Sequence, residues 1–491
     1  MTQPLYLSYF AEQDGEKRWG LSIHLEQDRF ERPPHEWLQG LHAAADAWRQ
    51  DFPNVFLRSE LGIEPEPECR RASLVSYLYA SGEINGPRLG RHLTMLRETG
   101  TIHRFTVRPG AYAEGADLVG RQGRIADLLK ILESGSCHLR APRRYGKSSI
   151  LRHLLKMFSA TGHPCLLADI SSGQTAVWFL VTLARAAMDS SCRSAVESLP
   201  ELARSPSREA SPVEKSRAFE QLREGISPNP WSFGRRLLEA LGQARAVLLI
   251  DEFSVFLRET YEKRPDEARA LSDLLASSRR SDSPTRQVFA GSTGLSSYMH
   301  FHNLGESFAD LVPLDLPPLT KPEAAMLAEE LLYGAHQIPS PEAVERILDT
   351  LGEPIPYFLH SVVSAVLEES PGHTHVTLEE IDRAYTERVL GTSGNEMFKL
   401  YSLRNRPYPP TLRRVASRIL RELAQRPEGI ETDELRRLST SDATDQSQFQ
   451  SLLSCLEEDY DLVKMNGRWV MRSKVLRDRW ILREPWLTRV E

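Results

Sequence analysis

Four absences bound what this 491-residue chain can be. No apolar run approaches the roughly 20 residues of a membrane-crossing helix. The start, Met1-Thr-Gln-Pro-Leu5, lacks the basic-then-apolar pattern of a secretory leader, so a cytoplasmic protein with no membrane partner is expected. Cysteine is scarce: Cys69, Cys137, Cys165, Cys192 and Cys455 lie far apart and form no Cys-x-x-Cys pair. Nothing there suggests a disulfide framework or a zinc site, and buried thiols are expected. Excess positive charge is missing too. A net charge of −6 argues against a globally basic nucleic-acid binder, while a local basic face stays open. Finally, 41% hydrophobic and 26% charged residues give neither a fibre nor wholesale disorder, and the length suits roughly two to four domains.

What is present is a phosphate-binding pattern. Ala141-Pro-Arg-Arg-Tyr-Gly-Lys-Ser-Ser149 follows the strand-like run Cys137-His-Leu-Arg140. It precedes an amphipathic helix marked by Ile150, Leu151, Leu154, Leu155 and Phe158. A loop opening a helix points backbone N–H groups and a lysine at phosphates, and the helix N-terminus adds partial positive charge. The loop departs from G-x-x-x-x-G-K-[ST] at its first position, where Ala141 replaces glycine. Alanine fits only if that turn does not demand positive φ. Further along, the apolar strand Val247-Leu-Leu-Ile250 ends in Asp251-Glu252. Alone, two acids after a strand read as a solvated loop start; beside a lysine loop, one carboxylate can hold a magnesium shell and the other can activate water.

Charge then assigns roles. Lys147 neutralises the β- and γ-phosphates, and Ser148 and Asp251 serve magnesium. Arg143, Arg144, Tyr145, Gly146 and Ser149 supply donors to phosphate oxygens, and Glu252 is the candidate general base. The expected ligands are ATP and Mg2+.

Punctuation divides the chain. Residues 1–115 open with a hairpin signal, Leu5 to Phe10 and Trp19 to Leu25, followed by helical periodicity from Trp37 to Trp48. From Ser73, a helix on Leu74, Val75 and Leu78, a turn at Gly86-Pro87, a helix with Arg88, Arg91 and Arg97, and alternation from Ile102 to Val107 read as a small winged helix or a helical hairpin under a ribbon. Residues 116–315 alternate strands with helices, the pattern of an α/β domain with a parallel sheet, and 199–230 reads as an exposed loop insertion. Residues 316–400 follow as a helical lid. Residues 410–491 show helices on Val415 to Leu423, Leu435 to Leu438 and Phe449 to Leu456, then two short strands split by Asn466-Gly467, which together make a winged helix.

Several of these motifs, taken in order, carry a family resemblance. Val119-Gly-Arg121, the loop, the Asp251-Glu252 strand, Ala290-Gly-Ser-Thr-Gly294 and Leu351-Gly-Glu-Pro-Ile-Pro-Tyr-Phe358 resemble prokaryotic AAA+/STAND-type P-loop ATPases. That group is similar to archaeal winged-helix ATPases and, more distantly, to origin-recognition ATPases. The resemblance covers about 116–485 and implies a three-layer αβα sandwich with a parallel sheet, a lid and a winged helix. It further implies that Gly120 and Arg121 lie near the adenine, that Ser292 or Thr293 senses the γ-phosphate, and that Pro356 lies in the lid against the nucleotide. Gln122 stands where the family has an acid. Arg279 and Arg280 lie near the family's arginine-finger position, although a solvated basic turn is the favoured account of them.

The third helix of the expected winged helix, Thr444 to Glu458, has no Arg or Lys, which counts against major-groove binding through it. The wing carries Lys464, Arg468, Arg472 and Lys474, available for the backbone of double-stranded DNA. Three readings compete: an ATPase acting on DNA, a nucleotide-switched signalling or defence scaffold that binds protein or its own copies, and a small-molecule P-loop kinase. The kinase is weakest, since it needs neither Glu252 nor a winged helix.

Overall fold

The computed structural model describes strands at 5–14, 16–25, 55–60 and 75–80, and residues 105–482 apart from 203–210, 292–298, 300–303, 336, 338, 374, 392–397, 399–407, 409 and 440–444. Its contacts divide the chain into two compact units: residues 1–107 with 329–339 and 372–376, and the remainder.

In the first unit, β1 (Leu5–Asp14) and β2 (Glu16–Leu25) pair antiparallel from Leu5 opposite Leu25 to Asp14 opposite Glu16, as the alternating runs predict. β3 (Val55–Glu60) and β4 (Val75–Ala80) complete the order β1-β2-β4-β3. The helix expected on Leu74, Val75 and Leu78 is thereby corrected, because Val75–Ala80 is a central strand. Its Val-Ser-Tyr-Leu-Tyr-Ala sequence is rich in strand formers, and over so short a run apolar spacing does not separate helix from strand. Phe105 to Val107 carry no strand. The helix expected at 37–48, the Gly86-Pro87 turn and Cys69 lie outside the described residues.

The second unit is built on a five-stranded parallel sheet. β5 (Ser136–Arg140), β6 (Cys165–Asp169), β7 (Val247–Asp251), β8 (Arg286–Ala290) and β9 (Leu311–Asp315) lie in the order β6-β7-β8-β5-β9. All five residues of β7 are buried, as a continuous apolar run predicts for a strand covered on both faces. Helices α1 (Gln122–Ser134), α2 (Lys147–Ala160), α3 (Ala176–Met188), α4 (Pro212–Ile226), α5 (Pro230–Gln243), α6 (Phe253–Lys263) and α7 (Pro265–Arg279) complete the α/β layers. One cluster gathers Leu248 and Ile250 of β7 with Phe179 of α3, Leu237 of α5, Phe253 of α6 and Phe289 of β8. Phe253 and Phe289 lie 4.6 Å apart, ring centre to ring centre. The arrangement is the αβα sandwich expected, and it sets β8 between the strand that leads into the loop and the strand that ends in Asp251.

Within 199–230, the helix at 212–226 departs from the expected loop. α4 begins with a capping box in which the Ser211 side chain accepts from Glu214 N–H while the Glu214 carboxylate accepts from Ser211, and Pro212 sits in its first turn. Its largely exposed residues hid the helix from apolar periodicity.

Helices α8 (Lys321–Gly334), α9 (Pro341–Leu351) and α10 (Pro356–Glu369) follow the sheet. Then come α11 (Pro410–Gln425), α12 (Thr432–Ser439) and α13 (Gln446–Glu458). The three-stranded sheet β10 (Ile430–Glu431), β12 (Arg468–Met471) and β11 (Leu462–Met465), in that order, and α14 (Lys474–Leu482) end the described chain. Asn466 at φ 50° and Gly467 at φ 81° form the β11–β12 turn, the left-handed pair that fits the strand twist. Ile419, Leu423, Leu435, Phe449, Leu456 and Trp469 make a separate core for this C-terminal module. Cys137, Cys165, Cys192 and Cys455 are buried, as expected.

Candidate functional site

A cavity of about 270 Å³ opens where β5 runs through the loop 141–146 into α2. Gly146 takes φ 97°, a left-handed turn suited to glycine, and leads into the helix. Arg144 holds the same region at φ 75° without glycine's freedom, at a cost on the order of 1 kcal/mol. Ala141 is absent from the positive-φ positions, so alanine in place of the pattern's first glycine needs no strained backbone.

The loop's cations are drawn inward. Lys147 is buried, and its Nζ donates to the carbonyls of Ala141 at 2.5 Å and Pro142 at 2.6 Å. Arg143 lies 4.0 Å from the Glu252 carboxylate, and the Arg144 guanidinium sits 4.2 Å above the Tyr357 ring. Tyr145, Gly146 and Ser148 line the cavity with them. Ser149 lines it too, but its hydroxyl accepts the Ala113 N–H at 3.0 Å and so ties the preceding segment to α2.

The Ser148 hydroxyl stands close enough to the Asp251 carboxylate to favour its charged form. Burial pushes the Asp251 pKa above its ordinary value, a shift opposed by Ser148 and by the Lys147 charge, and aided by the Glu252 charge. The Glu252 N–H donates to Asp251 Oδ1 at 2.9 Å. Glu252 itself stands at φ 57°, in a left-handed conformation that non-glycine residues seldom take, and its side chain lines the cavity.

Opposite the loop lie Leu118, Val119, Leu319 and Leu327, with Pro356, Tyr357 and His360 from α10. Gly120 does not line the cavity. Its φ is 67°, and a Cβ there would come within 2.8 Å of the Leu319 and Glu323 side chains, so it allows the close packing that sets Val119 against the space. Arg121 is buried beneath the loop and donates to the Tyr145 carbonyl at 3.0 Å and the Pro317 carbonyl at 2.9 Å. Burial lowers its pKa to about 10, which leaves it charged. Ser292 and Thr293 lie outside the described residues.

Tyr357 and His360 were not singled out from sequence. The Arg108 N–H donates to His360 Nδ1 at 3.4 Å, and burial lowers the pKa of this imidazole, so its proton sits on Nε2. The available signal was helical: Pro356 at the start of α10 puts positions 357 and 360 within one turn of the cavity.

No family model matches the sequence, and no curated protein matches it either. Solved structures do. A Walker-type ATPase of Pyrococcus abyssi is similar, with a TM-score of 0.51 and 20% identity, over 76% of this chain and 98% of that one. The fold is that of a Walker-type ATPase. Two further similar structures are the Aeropyrum pernix ORC2 protein, solved in ADPNP–ADP complexes (TM-score 0.48, 14% identity, 77% of this chain and 95% of that one), and the RuvB Holliday junction branch migration motor of Thermotoga maritima (TM-score 0.34, 10% identity, 73% and 94%). The Walker-type likeness is one of fold, and it agrees with the αβα P-loop architecture that the motif order implies.

On this Walker-type fold, Arg279 is a structural residue. Its side chain is 2% exposed, pairs with Asp310 at 2.8 Å and donates to Gln287 at 3.0 Å. Arg280, half exposed, pairs with the same Asp310 at 3.2 Å. The cations expected on a wing are also engaged: Arg472 with Glu353 at 2.8 Å, Lys474 with Asp478 at 2.5 Å and Arg468 with Glu431 at 3.6 Å, while Lys464 lies 5.5 Å from the centre of the Trp469 ring. Among the described residues no helix is long and apolar enough to cross a membrane.

Proposed function

We propose that this chain binds ATP with Mg2+ at the 141–149 loop and hydrolyses it as a nucleotide-dependent switch of the AAA+/STAND type. The observation that carries this reading is that Lys147 and Ser148 of the loop and Glu252 line one cavity, with the buried Asp251 ending β7 immediately before Glu252. Magnesium keeps several waters and takes one or two protein oxygens plus phosphates, and Ser148 with Asp251 supplies that donor set. Among the described residues no cluster of three or more His, Cys, Asp or Glu offers an all-protein cage instead. The bound ion would neutralise charge across the β- and γ-phosphates.

The chain's own residues do the rest. Lys147 exchanges the carbonyls of Ala141 and Pro142 for phosphate oxygens, and the N–H groups at the start of α2 add their dipole. Arg143 and Arg144 turn to the phosphates from Glu252 and Tyr357, and Arg121 braces the loop from beneath. Freed from Arg143, Glu252 accepts a proton from the water whose oxygen attacks the γ-phosphorus, and the β–γ bridging oxygen leaves with ADP. Leu118, Val119, Leu319 and Pro356 give the base an apolar slot, with Gly120 packed behind it. Ser292 or Thr293 is assigned as the γ-phosphate sensor on motif order alone.

Residues 410–482 are taken as a winged helix. With Arg472 and Lys474 held within the protein and α13 free of Arg and Lys, we favour a switch that signals through a protein surface over a reader of double-stranded DNA. DNA contact through Lys464 and Arg468 is the second reading, carried by their place on the β11–β12 hairpin. It predicts affinity that falls steeply with salt. Salt-insensitive binding would remove it. A mass measurement in ATP and in ADP reads assembly into a homo-oligomer.

The experiment for the active site is Glu252→Gln. ATP affinity should stay within about threefold of wild type, while phosphate release falls by roughly 100-fold or more. Unchanged turnover removes Glu252 as the base.

A further inference from the structure

Both flanks of the phosphate loop adjoin one pair of side chains from the C-terminal module. At the loop's far end, Tyr145 is 2% exposed and its hydroxyl donates to Glu353 Oε2 at 3.2 Å. The other oxygen of Glu353 accepts from Arg472 Nε at 2.8 Å. The Arg472 guanidinium lies 4.6 Å from the centre of the Tyr460 ring, and that ring meets Tyr145 edge-on, with centroids 6.0 Å apart. At the loop's near end, the Tyr460 phenol lies beside Asp315, which binds Arg140 through two bonds of 2.8 and 2.9 Å. Arg140 is the last residue of β5, immediately before the loop. Burial opposes ionisation of Asp315, but the hydrogen bond and charge of Arg140 outweigh it and hold its pKa below the usual value.

The junction is tight. Gly352, at φ 66°, approaches α14 so closely that a Cβ there would lie 2.7 Å from the Lys474 Cβ. Tyr460 is itself left-handed, at φ 61°, a conformation that persists only where its surroundings enforce it.

We propose that Tyr460 and Arg472 form a clamp by which the seated C-terminal module preorganises the phosphate loop, with Glu353 as the positioning residue that transmits it to Tyr145. The proposal rests on the reading that this loop holds nucleotide phosphates. A loop already ordered loses less freedom on binding, so seating the module raises nucleotide affinity. By reciprocity, bound nucleotide tightens the seating, and a partner that pulls residues 460–474 from the lid lowers nucleotide affinity by the same factor.

The test uses the full chain carrying Arg472→Ala, Arg472→Lys, Tyr145→Phe or the double variant Arg472→Ala with Tyr145→Phe. Amide hydrogen exchange over 141–147 is measured without nucleotide, and ATP affinity, KM and kcat are measured beside it. Exchange in β7 reports whether each variant is folded, and Tyr145→Phe, the mildest change, carries the test if Arg472→Ala does not fold. Arg472→Ala should speed loop exchange and weaken ATP binding by roughly tenfold each, the size of one lost charge-assisted hydrogen bond. KM should rise more than kcat falls, Arg472→Lys should recover part of the loss, and the double variant should be no worse than the worse single one. Unchanged loop exchange, or ATP binding as tight as wild type or tighter, in the folded variants overturns the clamp. If the wild-type chain binds no ATP, the nucleotide reading fails and the exchange measurement alone decides the clamp.

Discussion

At Asp251, burial and bonding pull in opposite directions. The carboxyl is desolvated and its pKa is raised, yet Ser148 and Lys147 favour its charged form. A divalent cation would settle that balance toward the carboxylate. Chelation of magnesium should therefore abolish phosphate release while leaving the fold intact, as followed by circular dichroism. Turnover that survives chelation would contradict the role given to Ser148 and Asp251. His138, in the middle of β5, gives a second handle. Burial and the neighbouring Arg140 lower its pKa to about 3 from an ordinary 6.5. A lowered folded-state pKa contributes stability that is present above 6.5 and lost as pH falls from 6.5 toward 3. Between pH 7 and pH 5 this one group should cost the wild-type chain about 2 kcal/mol. Denaturant titrations of His138→Gln should show a correspondingly smaller loss over that interval, and an equal loss in both proteins would remove His138 as its source.

Elements were legible where their signal was local and strong. The apolar run at 247–250, the Asn466-Gly467 turn and the helix behind Lys147 stand where periodicity and turn chemistry put them. Val75–Ala80 was misread because helix and strand templates overlap over six residues, and pairing with β2 and β3 decided the outcome. α4 was missed for the opposite reason: its signal is its cap, not its apolar face. Ser211→Ala should therefore destabilise α4 by about 1 kcal/mol. Exchange protection within 212–226 should drop while that of β7 does not, and unchanged protection would show that tertiary contacts alone hold the helix. The candidate site divides in the same way. The loop and Asp251-Glu252 were readable as motifs. The roles of Glu353 and Tyr357, though both stand in the 351–358 motif, and of His360 were not, since their contacts to Tyr145, Arg144 and Arg108 cross the fold and leave no spacing in the sequence.

Across the second unit, the 141–149 loop is the place where the sheet, α10 and the C-terminal module meet. β5 delivers it, Arg121 and Pro317 support it, and Glu353 with Arg472 ties it to residues far along the chain. Three of the loop's cations are satisfied by protein groups, Lys147 by carbonyls, Arg143 by Glu252 and Arg144 by an aromatic face. A phosphate ligand would have to displace these contacts, which couples binding to a rearrangement at Glu252 and at Tyr357 of α10. The measurement that tests this account most directly is the equilibrium affinity of ATP with Mg2+ for the wild-type chain and for Lys147→Ala. Saturable binding by the wild type and a loss of roughly 100-fold or more in the variant is the predicted result. Equal affinity in the two proteins, or no binding to the wild-type chain, would contradict it.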